Sequence, residues 1–198
     1  MVEIMTVCTG NICRSPLAAL LIDAALGDGA VRVHSAGTRA LVGEAMTPEA
    51  QRLATARGVR TDAAAAHRAR LLTEAHLASP DLILTMAREH RRAVAELAPA
   101  RLRSTFTVRE FARLSASVPE EAMRSAADAA SVSDVSLRLR AAVGVIAGQR
   151  GLVLPPGAPD DDDVIDPYRR SSRTYELSGA QLDPAIAEVI RVVQVTAP

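Results

Sequence analysis

The residues best suited to chemistry lie near the start of the chain, in the segment Cys8-Thr9-Gly10-Asn11-Ile12-Cys13-Arg14-Ser15-Pro16. A curled loop of this length can place the Cys8 sulfur below a bound anion, while the planar guanidinium of Arg14 donates to two of the anion's oxygens. Cysteines beside a cation at the amino end of a helix are commonly thiolates at neutral pH, and a thiolate is a nucleophile. The segment therefore predicts a phosphate-binding loop in which Cys8 attacks phosphorus.

The residues around this loop indicate how it is positioned. Ile4, Met5 and Val7 form the short apolar run expected of a buried strand, and apolar residues after the loop recur at helical spacing. Ser15 followed by Pro16 is typical of a helix N-cap with proline at the first helical position. In a strand, loop and helix of this order, the loop amides and the helix amino terminus face the anion.

Hydrolysis of a phosphate monoester also calls for an acid, because a phenolate or alkoxide leaves phosphorus poorly without a proton. A positioned acid typically contributes about 10² to 10⁴-fold in rate. Asp166, which precedes Pro167, is the candidate, and a turn-forming Asp-Pro in an acidic loop is the alternative. We expect the aspartates at 160–163 to be solvated surface.

The chain resembles the low molecular weight protein tyrosine phosphatases in four segments that follow one another in the family's order. They are CTGNICRSP at 8–16, HSAGT at 34–38, DLILTM at 81–86 and DPY at 166–168. The resemblance implies an α/β fold, a three-layer sandwich with a central, mostly parallel four-stranded sheet flanked by helices. It also implies a phosphotyrosine protein phosphatase that hydrolyses aryl phosphate monoesters through a phosphocysteine, without metal or cofactor.

The resemblance further implies a role for each matching residue. Cys8 is the nucleophile, Arg14 binds the transition state, and Asp166 is the general acid and then the base that activates water. Asn11 holds the loop by side-chain hydrogen bonds, and the Ser15 hydroxyl stabilises the Cys8 thiolate. The remaining implied site residues are Thr9, Gly10, Ile12 and Cys13 in the phosphate cradle, and Tyr168 and Leu41 in the pocket wall. Relatives often place an aromatic residue in the segment that holds Leu41 here.

Several alternatives stay open. Phosphoarginine phosphatases share the fold but tend to carry threonine where this loop has Ile12. An arsenate reductase coupled to a small thiol could use Cys8 alone, and a phosphate-binding module without catalysis would need neither thiolate nor acid. Cys13 is either the partner of Cys8 in a reversible protective disulfide, as the resemblance implies, or a small core residue. The two cysteines and four histidines show no metal-ligand spacing.

Composition limits the partners and the compartment. The formal net charge is zero, which gives no electrostatic reason to expect a nucleic acid or an anionic membrane as a partner. No apolar run approaches the ~20 residues that span a bilayer, and no basic cluster marks a signal peptide. Two cysteines close together do not make a disulfide framework, which fits a reducing compartment. We predict a cytoplasmic protein, a monomer or weak homodimer, that acts on phosphotyrosine-containing proteins.

Strand and helix patterns alternate along the chain, as expected for a parallel sheet covered on both faces. Further strands are predicted at residues 31–35, 82–85 and 104–108, and further helices at 48–58 and 87–97. Asp183-Pro184 is predicted to begin the last helix. We predict one phosphatase domain over residues 1–198, with an insertion at about 114–157 that holds two helices, at 119–130 and 134–147. The insertion either contacts a partner or extends the fold without a function of its own.

Overall fold

The protein is described by a computed structural model that covers residues 1–27, 29 and 31–198. Its strands are β1 (Val2–Cys8), β2 (Val31–Gly37), β3 (Leu82–Thr85) and β4 (Thr105–Thr107). They form one parallel sheet in the order β2-β1-β3-β4. Since parallel strands all end at the same edge, β1 delivers Cys8 to the middle of the carboxyl edge, opposite Gly37 of β2. This four-stranded parallel sheet confirms the predicted fold class.

Helices cover both faces of the sheet. They are α1 (Arg14–Leu26), α2 (Pro48–Ala56), α3 (Thr61–Ala66), α4 (Glu74–Leu77), α5 (Arg88–Leu97), α6 (Val108–Ser115), α7 (Glu120–Ala130), α8 (Val135–Ala147) and α9 (Ser172–Thr196), with 3₁₀ turns at Pro99–Ser104 and Pro159–Asp162. No helix in the described ranges is both long enough and apolar enough to traverse a lipid bilayer.

The two faces of β1 bury alternate residues, as the pleat of a strand requires. Ile4 belongs to the larger apolar core, which is shared with α1, α2 and α6 to α9. Met5 and Val7 belong to a smaller core on the opposite face, with Leu77 of α4 and Val94 of α5. All seven residues of β1 are buried, so the strand that carries Cys8 is fixed by packing on both sides.

The start of α1 differs from the prediction. The helix begins at Arg14, its N-cap is Cys13, and no side chain caps it. Ser15 is therefore not the N-cap, and Pro16 is the third helical residue. The Ser15 hydroxyl instead donates to the sulfur of Cys8, a use that a local capping pattern does not reveal.

The last helix also begins earlier than predicted. α9 starts at Ser172, where the hydroxyl of Ser171 accepts a hydrogen bond from the amide of Thr174, and Pro184 lies inside the helix. Asp183 does not cap the helix. Its carboxylate pairs with Arg57 of α2, with 2.7 Å between Arg57 Nε and Asp183 Oδ1.

The segment predicted as an insertion folds into α7 and α8, close to the predicted bounds. Met123 of α7 and Leu139 of α8 are fully buried in the larger core. Arg138, only 3% exposed, donates to the carbonyl of Thr196 at the end of α9, with 2.7 Å between Nε and O. The two helices are thus packed into the same core as the sheet, while their status as an insertion in a single domain remains a prediction.

Candidate active site

The sulfur of Cys8 lies at the end of β1 and accepts two hydrogen bonds. The donors are the amide of Asn11, at 3.3 Å, and the hydroxyl of Ser15, at 3.0 Å. Cys8 is only 3% exposed, so few water molecules can replace these donors. Both contacts stabilise negative charge on sulfur, as a thiolate nucleophile requires.

Asn11 holds the shape of the cysteine loop, by which we mean residues 8–14. Its φ of 56° lies in the left-handed region, which asparagine tolerates better than most residues. Its side-chain amide donates to Ser15 Oγ at 3.0 Å and to Ser35 Oγ at 2.9 Å. Its side-chain oxygen accepts from the amide of Arg70 at 3.0 Å, and its carbonyl accepts from His67 Nε2 at 2.7 Å. The strained conformation is therefore held by partners from three separate parts of the chain.

The hydrogen bonds through Ser15 have a fixed direction. The side-chain nitrogen of Asn11, Nδ2, can only donate, so Ser15 Oγ accepts from it and keeps its own proton free. That proton is donated to Cys8 Sγ. Asn11 thus orients the hydroxyl that faces the sulfur.

The connection after β2 lies along the cysteine loop, and Gly37 permits the close approach. A Cβ atom at this position would lie 2.4 Å from the carbonyl oxygen of Thr9, far inside van der Waals contact. The amides of Thr38, Arg39 and Leu41 donate to the carbonyls of Cys8, Thr9 and Gly10, respectively, at 2.9 to 3.1 Å. These three hydrogen bonds join the first half of the cysteine loop to the segment that follows β2.

Arg14 joins the cysteine loop to the predicted acid. Its guanidinium, only 4% exposed, pairs with Asp166 at 2.9 Å and donates to the carbonyl of Val164 at 3.1 Å. The amide of Val164 donates to the carbonyl of Met86, just after β3, at 2.8 Å. Asp166 is half exposed and accepts from the amide of Tyr168 at 3.1 Å. The cation, the carboxylate and the sulfur therefore border one pocket, with the carboxylate at its mouth.

The sequence predicted that the aspartates at 160–163 would be solvated surface, and the structure differs for two of them. Asp162 pairs with Arg113 of α6 at 2.6 Å. Asp163 accepts from the amide of Arg88 at 2.8 Å and pairs with the guanidinium of the same residue at 3.2 Å. The prediction was wrong for these two residues, because arginines on α5 and α6 face them. Both contacts fix the aspartate loop, by which we mean residues 159–168.

All three predicted catalytic residues line one pocket. The lining residues are Cys8, Thr9, Gly10, Ile12, Cys13, Arg14, Arg39, Leu41, Asp166 and Tyr168. The aliphatic wall consists of Ile12 and Leu41. Tyr168 is the single aromatic residue in the described lining, and the guanidinium of Arg169 lies 5.1 Å from the centre of its ring. The pocket thus combines the Cys8 sulfur, the Arg14 guanidinium and the Asp166 carboxylate with the aliphatic side chains of Ile12 and Leu41.

Cys13 lies in the same lining as Cys8, and both are free thiols in this structure. The Cys13 sulfur is 3.5 Å from Thr47 Oγ1 and 3.6 Å from the hydroxyl of Tyr175. Burial raises the pKa of the Cys13 thiol, which keeps it protonated and a weak nucleophile. A disulfide between the two cysteines stays a prediction.

Two residues beside the cysteine loop were not predicted as part of the site. His90 of α5 is buried with its Nε2 atom 2.8 Å from Thr9 Oγ1. Burial and nearby Arg14 lower the pKa of His90 to about 3, so this imidazole is neutral. Arg39, which lines the pocket, was also missed. Arg39 follows the segment 34–38, and His90 comes four residues after the segment 81–86. Residues that follow parallel strands in this way meet at one edge of the sheet, which is the signal that could have placed them in the site.

Comparison with known proteins identifies the family. The family model of the low molecular weight phosphotyrosine protein phosphatases matches residues 3–132. The chain belongs to this family. It is 35% identical over 109 residues to a protein-arginine-phosphatase of Geobacillus stearothermophilus, covering 55% of this chain and 70% of the relative. It is 38% identical over 97 residues to the low molecular weight protein-tyrosine-phosphatase Wzb of Escherichia coli K12, covering 49% of this chain and 63% of the relative.

Solved structures give the same family fold. The YwlE arginine phosphatase of Geobacillus stearothermophilus superposes with a TM-score of 0.67 at 23% identity, over 98% of this chain and 94% of the other. Wzb of Escherichia coli K30, solved with sulphate, superposes with a TM-score of 0.64 at 22% identity, over 96% of both chains. The predicted family and the predicted phosphatase class of this low molecular weight phosphatase are thereby confirmed.

Proposed function

We propose that this protein dephosphorylates phosphotyrosine in protein substrates, with Cys8 as nucleophile, Arg14 as the transition-state cation and Asp166 as general acid. The observation that carries the proposal is the joint position of these three groups around one pocket. The sulfur accepts two hydrogen bonds at its floor, and the Arg14 guanidinium lies 2.9 Å from the Asp166 carboxylate at its mouth. Phosphate binding alone requires neither the nucleophile nor the acid.

In the first step the phosphate oxygens accept hydrogen bonds from the loop amides and from Arg14. A dianionic phosphate displaces Asp166 from this guanidinium, and the freed carboxylate takes up a proton from solvent, so that Asp166 can act as the acid. The Cys8 thiolate forms a sulfur–phosphorus bond as the bond from phosphorus to the phenolic oxygen breaks. The electron pair of that bond goes to the leaving oxygen, which takes the proton of Asp166.

In the second step Asp166, now a carboxylate, takes a proton from water as the water oxygen bonds to phosphorus. The sulfur–phosphorus bond breaks and its electron pair returns to Cys8. The hydroxyl of Ser15 and the amide of Asn11 stabilise the thiolate that leaves. Inorganic phosphate departs and the enzyme returns to its starting protonation state.

A phosphoarginine phosphatase is the second candidate, favoured by the relative of that name. The aliphatic wall of Ile12 and Leu41 is compatible with the aliphatic stem of a phosphorylated arginine. Tyr168 at the rim supports the tyrosine substrate, because a phenyl ring gains from packing against another aromatic ring. We place the activity in the cytoplasm, where reducing conditions keep a nucleophilic thiol free.

The test compares turnover of a phosphotyrosine peptide and of a phosphoarginine peptide, with EDTA present throughout. We expect preference for phosphotyrosine, no effect of EDTA, loss of activity in Cys8→Ser, and a loss of about 10² to 10⁴-fold in Asp166→Asn. Preference for phosphoarginine would transfer the assignment to the second candidate. Thiol-dependent reduction of arsenate without phosphatase activity would overturn both.

Asp183→Asn is the matched control for Asp166→Asn. Asp183 is 47% exposed and pairs with Arg57 at 2.7 Å, whereas Asp166 is 50% exposed and pairs with Arg14 at 2.9 Å. Both substitutions remove one half-exposed carboxylate from one arginine, but only Asp166 borders the pocket. An equal loss of activity in the two variants would show that Asp166 acts through folding and not as an acid.

A further inference from the structure

A second cleft lies at the opposite edge of the sheet from Cys8. Asp81 immediately precedes β3, so it lies at the amino edge, whereas Cys8 ends β1 at the carboxyl edge. The cleft is bounded by Asp81 and by Arg101 and Arg103 of the 3₁₀ turn, with Arg140 of α8 on the other side. It shares no lining residue with the candidate active site.

The single carboxylate in this lining is already engaged. Asp81, 2% exposed, accepts from the amide of Glu3 at 2.8 Å through Oδ2. Its Oδ1 atom accepts from the hydroxyl of Ser136 at 2.7 Å and from Arg140 Nε. Asp81 pairs with Arg140, and it is the one carboxylate beside the three arginines of the described lining, so two positive charges remain in excess there.

Neither Arg101 nor Arg103 forms an ion pair in the described part of the chain. Arg101 Nε is buried without any hydrogen-bond partner, although the far end of the same guanidinium donates to the carbonyl of Pro80. Burial and the nearby charge of Arg140 lower the pKa of Arg101. Arg103 is exposed and forms no ion pair within residues 1–27, 29 and 31–198. A buried cationic donor without an acceptor is costly, and an anion in the cleft would supply that acceptor.

Gly144 of α8 lies in the lining of the cleft. It lies inside α8, where glycine destabilises a helix relative to alanine. A Cβ atom at this position would meet no atom within 4 Å, so packing does not require glycine. Gly144, Arg140 and Val143 all line the cleft, so a large side chain at position 144 would enter its space.

We propose that this cleft binds the phosphate group of a small ligand, with Arg101 and Arg103 donating to its oxygens and Gly144 leaving room for the rest of the ligand. Two uncompensated guanidiniums match a dianion, and their planar donor pairs match two oxygens of one phosphate. Inorganic pyrophosphate and a nucleoside monophosphate both carry such a group.

The test is calorimetric titration at low salt with inorganic pyrophosphate and, separately, with adenosine monophosphate. We expect pyrophosphate to bind the parent protein at two sites, one at Cys8 and Arg14 and one in the cleft. Arg14→Gln should remove the first site, and the double variant R101Q/R103Q should weaken the second at least tenfold. In the Arg14→Gln variant, the cleft should bind adenosine monophosphate if its ligand is a nucleotide. If its ligand is inorganic, the cleft should bind pyrophosphate and not adenosine monophosphate.

Two further variants separate binding from folding. Gly144→Leu should abolish binding in the cleft while the circular dichroism spectrum stays native. If the double variant unfolds, Gly144→Leu alone tests the proposal. Arg124→Gln removes an exposed arginine of α7 that pairs with Glu121, and it should leave both sites intact. A single site in the parent that Arg14→Gln abolishes would overturn the proposal. So would a second site that R101Q/R103Q leaves unchanged, or one that binds succinate as tightly as it binds pyrophosphate. These outcomes do not depend on which phosphorylated residue the active site hydrolyses.

Discussion

The hydroxyl of Ser15 is predicted to act mainly when sulfur leaves phosphorus. Ser15→Ala removes the donor 3.0 Å from Cys8 Sγ and retains the amide of Asn11 at 3.3 Å. In the first step the sulfur gives up its negative charge, so this hydrogen bond stabilises the starting state. In the second step the sulfur regains that charge, so the same hydrogen bond stabilises the transition state.

The size of the effect follows from the hydrogen bond that is lost. A hydrogen bond to a charged group contributes about 1.5 to 3 kcal/mol. Sulfur is a weaker acceptor than oxygen, which places the loss near the lower end, at about 1.5 to 2 kcal/mol. Since about 1.4 kcal/mol corresponds to tenfold in rate, breakdown of the phosphocysteine should slow by about 10- to 30-fold. Formation should not slow in this way, because the hydrogen bond stabilises the starting thiolate more than the first transition state, so the intermediate should accumulate.

Rapid mixing with an aryl phosphate measures both steps, because the phenol is released in the first. We expect a burst of phenol in Ser15→Ala, followed by slow steady turnover. Ser35→Ala is the matched control, since Ser35, like Ser15, accepts from the side-chain nitrogen of Asn11, at 2.9 Å, but does not contact the sulfur. A Ser15→Ala enzyme that turns over at the parent rate without a burst would refute the reasoning, as would an equal burst in Ser35→Ala.

Three other substitutions test the supports of the pocket. Gly37→Ala places a Cβ atom 2.4 Å from the carbonyl of Thr9, so the free energy of unfolding should fall by about 1 to 3 kcal/mol in urea titrations, and an unchanged value would contradict the close approach. His90 has a pKa of about 3 in the folded protein and about 6.5 when unfolded. Between these two pH values the unfolded chain binds a proton that the folded protein does not, so the free energy of unfolding falls as the pH is lowered from about 6.5 to about 3. The loss is at most about 1.4 kcal/mol per pH unit, and His90→Gln should flatten this slope in unfolding experiments between pH 4 and 7; parallel curves for parent and variant would show that the imidazole carries no such cost. Asp163→Asn weakens the contact with Arg88 that fixes the aspartate loop, so kcat for an aryl phosphate should fall several-fold with little change in KM, and a parental kcat would mean that other contacts suffice.

The strand and loop that carry Cys8 could be predicted because their signals are local. The apolar run before Cys8 belongs to a strand buried on both faces, and such a strand has a continuous apolar pattern. The strand at 82–85 could be predicted from its own apolar run, whereas its pairing with β1, with Val7 opposite Thr85, is seen only in the structure.

The predictions of helix caps and of exposed aspartates were wrong where a side chain that could cap a helix or face solvent instead binds a partner elsewhere in the fold. A serine before a proline caps many helices, but the hydroxyl of Ser15 is taken by the Cys8 sulfur, so the cap pattern misled. Asp183 before Pro184 has the same local pattern, but its carboxylate is taken by Arg57, 126 positions away. Asp163 was expected in solvent and meets Arg88, 75 positions away. No local pattern can reveal partners at such separations.

The position of Cys8 relative to Asp166 depends on residues 86–90, which follow β3. Met86 accepts a hydrogen bond from the amide of Val164, and the first turn of α5 binds the aspartate loop through Arg88. Two residues later the same helix reaches the cysteine loop, where His90 contacts Thr9. One stretch therefore holds both loops, while Arg14 joins them inside the pocket. Because a displacement of about 1 Å can cost 10²-fold in rate, a change in this stretch should lower turnover even where it touches neither the sulfur nor the carboxylate.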